Sequence, residues 1–115
     1  MMNWGDVARR AMQELTDDER RSGVVYLDDQ EPAIDSVLKV DGREIALPGN
    51  TVAVFVDKTP QANWGHACRY LLINREDGKV ESIDAQFPPF LHGVPKTLRV
   101  VWKGEAVPDW AVAKP

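Results

Sequence analysis

Through the first 22 residues the apolar positions recur at helical spacing, and beyond Gly23 they recur at every second residue. Trp4, Val7, Ala8, Ala11, Met12 and Leu15 fall on one face of a helix over residues 3–22, with Arg9, Arg10, Gln13 and Glu14 opposite. That spacing predicts Ala8, Ala11, Met12 and Leu15 buried, and Arg10 and Gln13 exposed. Asn3 suits an N-cap, since its side-chain oxygen can accept an orphan backbone N–H. Thr16-Asp17-Asp18-Glu19 carries the capping-box pattern, a place for the helix to break and restart, and Gly23 suits its C-terminal stop.

The strand region begins with residues 24–27. Residues 28–35 are acidic and contain Pro32, which reads as a loop. In residues 36–47, Asp41-Gly42 separates two alternating runs, the chemistry of a two-residue hairpin turn with positive φ. This register sets Lys39 against Glu44 on one face and Leu38 against Ile45 on the other, a charge pair and an apolar pair. Residues 51–57 are apolar on both faces, the pattern of a central strand covered on both sides. Residues 68–74 and 79–86 form a second hairpin, which pairs Arg69 with Asp84 and Tyr70 with Ile83. A bulge at Gly78 would shift that register. Residues 87–96 hold three prolines and read as irregular, and residues 97–102 form a last strand.

The expected fold is α+β: an N-terminal helix packed on a mostly antiparallel sheet of about six strands. The alternative is a β-sandwich with an appended N-terminal helix. The chain reads as a single domain over residues 1–115, a helix at 1–22 followed by a strand-rich body at 23–115. With 115 residues, 43% hydrophobic and 28% charged, it can bury a core of its own. A net charge of -4 argues against a nucleic-acid partner. No apolar run approaches the roughly 20 residues that span a bilayer, so no membrane partner is expected. One cysteine and no recognisable signal peptide point to a reducing cytoplasm.

Candidate chemistry gathers at one place. If residues 68–86 form a hairpin, the loops at 58–67 and 87–96 share one end of the sheet. Both histidines, the cysteine and several aromatics collect there. As a binding face, Asn63, Trp64, His66, Phe87, Phe90 and His92 would supply aromatic anchors around polar groups, on loops of the kind that carry sites. As a thiol hydrolase, Cys68 would be the nucleophile, His66 or His92 the base, and Asn63 or Asp84 the orienter. His66, Cys68 and His92 could also be weighed as zinc ligands, but paired ligand spacing is absent, so no metal and no cofactor are expected. Asn63-Trp64-Gly65 resembles the asparagine region of papain-like proteases over those three residues alone, and no role is carried over from it. The expected function is a small non-catalytic interaction or ligand-binding module, its partner a protein, a ligand or a second copy. A minimal thiol-dependent hydrolase using Cys68 is the alternative.

Overall fold

Two short helices replace one long one. In the computed structural model, which describes residues 1–30, 36–62, 65–89 and 94–114, α1 spans Trp4–Gln13 and α2 spans Asp17–Ser22. Each starts with a full capping box. Asn3 accepts from the Asp6 N–H while Asp6 accepts from the Asn3 N–H, and Thr16 and Glu19 do the same one helix later. The break comes where the second box offers the backbone better partners than a continued helix would. Arg20 then reaches back and donates to the Met12 carbonyl at 2.7 Å, satisfying an orphan acceptor at the end of α1.

Among the described residues seven strands follow, in two sheets. A five-stranded antiparallel sheet has the order β6-β5-β4-β1-β7, with β1 Val24–Asp28, β4 Thr51–Asp57, β5 Cys68–Asn74, β6 Val80–Ala85 and β7 Leu98–Lys103. A separate hairpin joins β2 Val37–Val40 to β3 Arg43–Ala46. The expected α+β architecture is present, and the helix is docked on the sheet, not appended to a sandwich. Strand β4 is the middle strand, as its two apolar faces require.

Both hairpins keep the expected register. Lys39 faces Glu44 and Leu38 faces Ile45, and the turn holds φ of 51° at Asp41 and 80° at Gly42. Arg69 faces Asp84 and Tyr70 faces Ile83. Gly78 has a positive φ of 75°, yet it lies inside the turn and leaves the register intact.

The molecule has three layers. On one face of the sheet α1 buries Val7 and Ala11, and the link to α2 buries Leu15, against Val25, Leu27, Val54, Val56, Leu71 and Ile73. On the other face the β2–β3 hairpin and the C-terminal segment cover Tyr26, Phe55, Cys68, Tyr70 and Leu72. Burying each large aliphatic side chain contributes about 1.5–3 kcal/mol.

The helix differs from its sequence pattern in detail. Val7 is fully buried, whereas Ala8 and Met12 are only partly so. Arg10, expected exposed, is half-buried: its guanidinium donates to the Gly78 carbonyl at 3.1 Å and pairs with Glu14. The turn between β5 and β6 rises beside α1 and covers that face. At the far end Gly104 is buried, and a Cβ there would lie 2.2 Å from the Arg21 carbonyl oxygen. Only glycine lets the chain after β7 lie so close to the end of α2.

Candidate functional site

The end of the sheet where β4 stops and β5 begins is assembled by backbone contacts. The register Cys68–Ala85 makes the chain entering β5 and the chain leaving β6 neighbours. The His66 N–H donates to the Gln86 carbonyl at 2.6 Å. Gly65 lies against the Phe87 ring so closely that a Cβ would sit 2.7 Å from Cε1. The two loops therefore share one end of the sheet across their described residues. The turn of the β2–β3 hairpin joins them: the Asp41 carboxylate accepts from the Gln86 N–H at 2.9 Å and the Phe87 N–H at 3.1 Å.

Asp57, the last residue of β4, is a buried polar group at this end. Its Oδ1 accepts from the Thr59 N–H at 3.1 Å, which starts the loop, and lies 2.9 Å from His66 Nε2. The side chains are 6% and 10% exposed. Burial raises the Asp57 carboxyl above its usual range, and the His66 ring and the Thr59 N–H oppose that rise. With Asp57 ionised it can only accept, so Nε2 carries the hydrogen that His66 donates to it. The ring is half-buried, held toward the carboxylate.

Above this pair lies a cleft of about 360 Å³. Loop residues Pro60, Gln61 and Ala62 form one wall and the C-terminal segment around Trp110 the other, with Tyr26 and Pro88 between them. The segment turns through a 3₁₀ helix at Asp109–Ala111 and is fastened where the Ala113 N–H donates to the Tyr26 hydroxyl at 2.9 Å. Trp110 is 73% exposed on the rim. An imidazole oriented by a buried carboxylate, a glutamine amide and an indole face can together recognise a ligand with one flat or apolar part and one polar part.

Cys68 faces Asp57 across the β4–β5 pair and is 1% exposed. Burial, and after it the nearby Asp57 and Asp41 carboxylates, push its thiol up to about 12. The thiol is held protonated and serves as a small apolar group of the core. Asp84, weighed as an orienter, is exposed on β6 opposite Arg69, on the strand pair that ends here. Phe87 is 48% exposed beside Gly65. Asn63, Trp64, Phe90 and His92 lie outside the described residues. Among the described residues no group of three or more His, Cys, Asp and Glu side chains is arranged to hold a metal ion. Also among them, no helix is long and apolar enough to cross a membrane.

Sequence reasoning missed Asp57, Tyr26 and Trp110. Asp57 had a signal, a carboxylate directly ending an apolar strand. Trp110 had none, because nothing in the tail shows that it folds back on β1. Comparison with known proteins finds no matching family model, no matching curated protein and no matching solved structure.

Proposed function

We propose that this protein is a small non-catalytic binding module whose ligand or partner segment enters the cleft between the 58–67 loop and the C-terminal segment. The observation that carries the reading is the cleft itself, with the Asp57–His66 pair as its floor and an exposed tryptophan on its rim. Exposed indoles beside a concave, partly polar surface are the usual anchors of recognition. Binding is favoured over thiol chemistry because Cys68 is buried in the core and its thiol is raised, whereas a nucleophile needs an accessible thiolate. A lone protonated thiol also suits a reducing cytoplasm.

A screen of small fragments and short peptides against the ¹⁵N-labelled chain tests this. Binders should shift the amides of Gln61, His66 and Ala111–Ala113, and Trp110→Ala should weaken them at least about tenfold. Binders that cluster elsewhere, or that ignore Trp110→Ala, would overturn the reading. Ester or amide hydrolysis abolished by Cys68→Ala would replace it with the hydrolase.

A further inference from the structure

The central sheet has β6 and β7 as its edge strands, and the two edges differ. On β6, Glu81, Ser82 and Asp84 are exposed, so two carboxylates guard that side. Among the described residues β7 pairs with β1 alone. The Asp29 N–H donates to the Thr97 carbonyl, and the Gly104 N–H donates to the Gly23 carbonyl. Thr97 and Gly104 thus turn their backbone groups toward the β1 chain. Alternation along an antiparallel strand then turns those of Val100 and Lys103 outward. Among the described residues neither has a hydrogen bond on that side.

Apolar side chains flank this edge on both faces. Val100 lies opposite Tyr26 and is 39% exposed, and Trp102 lies opposite Val25, on the other face, and is 38% exposed. The Trp102 indole N–H donates to the Arg20 carbonyl at 2.7 Å, which fixes the ring beside the edge. The charges here are balanced. Arg99 pairs with Asp29 at 2.6 Å and Lys103 with Asp109 at 2.5 Å. In the groove between α2 and β7, Arg20 and Arg21 stand with Asp17 and Glu105. The strip is neutral on a chain whose net charge is -4. Val101 is an extra residue against β1, since Val25 pairs with Trp102 and Tyr26 with Val100. Such a bulge tightens the local twist of its strand.

We propose that the outer edge of β7 pairs with β7 of a second copy of this chain, antiparallel across a two-fold axis, and so joins two central sheets into one. Two-fold pairing sets the outward N–H and C=O groups of each copy against the same groups of the other. A neutral strip lets two net-negative chains approach, whereas pairing through β6 would bring Glu81 and Asp84 against their own copies. The twist set by the bulge is matched by a strand that carries the same bulge, which a regular peptide strand lacks. An unstructured peptide would also lose conformational freedom on pairing, which the preformed β7 does not. Neither Val100 nor Trp102 lines the cleft beside Trp110, so the two readings stand apart.

Sedimentation velocity of the full chain across a wide range of concentration, at constant ionic strength, tests this. The chain should pass reversibly from one copy to two as concentration rises, and the Val100 and Lys103 amides should exchange more slowly in the dimer. Val100 stands mid-strand, so Val100→Lys brings two ammonium groups close together and should abolish the dimer. Val100→Pro removes one outward N–H from each copy and should weaken the dimer at least about tenfold. Both changes fall at an exposed edge position, and circular dichroism checks that each variant keeps its fold. Glu81→Lys, on the opposite edge, should leave the dimer unchanged. A chain that stays monomeric, a dimer that survives both Val100 variants, or one that is lost with Glu81→Lys would overturn the proposal. So would a monomer whose β7 amides are protected only by an added extended peptide, which would assign the edge to a foreign strand.

Discussion

On the helix side of the central sheet, β1, β4 and β5 present Val25, Leu27, Val54, Val56, Leu71 and Ile73, an aliphatic surface that α1 closes. On the hairpin side the same three strands present Tyr26, Phe55, Tyr70 and Cys68, and the cover is a two-stranded hairpin and a C-terminal segment. On the hairpin side a space of about 120 Å³ remains beside Ala53 and the ring row of Tyr26, Phe55 and Tyr70. The buried polar groups differ in the same way. At the helix side the Arg69 guanidinium meets both Glu19 oxygens and the Glu14 carbonyl at 2.6–2.8 Å, a network closed on itself. At the hairpin side the Asp57–His66 pair is the floor of an open cleft. One face is arranged for cohesion, and the other keeps space and polar groups near the surface.

Breaking the closed network should have the largest effect. Arg69→Met strands the buried Glu19 carboxylate and should cost about 3–5 kcal/mol, read from the shift in urea midpoint. A loss under 1 kcal/mol would mean that water already shields the pair. The same pair gives a pH dependence. Burial alone would raise the Glu19 carboxyl, but Arg69 and the Thr16 N–H outweigh it and hold it below its usual 4.5. Its contribution is therefore complete above that value and is lost as pH falls through the lower, folded one. Acid unfolding of Glu19→Gln should accordingly be flatter over that window than that of the parent.

Adding volume should separate the two faces directly. Ala11→Leu, on the helix side, should cost about 1–3 kcal/mol through overpacking. Ala53→Leu, beside the ring row, should cost little, because its methyl groups enter existing space. Equal losses in thermal unfolding would show that the two faces are packed alike. Gly42→Val should cost about 1–3 kcal/mol, since a β-branched residue tolerates φ of 80° poorly. It should also loosen the Asp41 grip on Gln86 and Phe87, visible as faster amide exchange at those two residues. The smallest effect is chemical. Cys68 should react with a disulfide probe only after unfolding, and rapid labelling of the native chain with an apparent pKa below 8.5 would contradict its place in the core.

Several elements were legible in the sequence because their causes lie within a few residues. The Asp41-Gly42 turn and the Lys39–Glu44 pair share one short hairpin, so turn chemistry alone sets that register. The break at Thr16 was readable for the same reason, since both halves of its capping box lie within four residues. The meeting of the 58–67 and 87–96 loops followed from one further inference, that residues 68–86 double back. The burial of Arg10 was not legible, because the turn that covers it is 68 residues away. Nor was the setting of His66, whose ring is held toward a carboxylate that only the path of the loop brings to it.

Period, turn type and capping are decided by neighbours in the chain, so the amino-acid order alone pointed to an N-terminal helix, with a place to break at Thr16, ahead of an antiparallel, hairpin-built body. Strand order was not settled that way. Nothing local tells β1 to enter between β4 and β7, and that choice depends on burying two apolar faces at once. The cleft depends on it further: Ala113 reaches the Tyr26 hydroxyl across 87 residues, and that contact helps to hold the segment that carries Trp110. Packing brought Asp57, His66, Tyr26 and Trp110 together, because contacts between such distant residues form only when the whole sheet has formed.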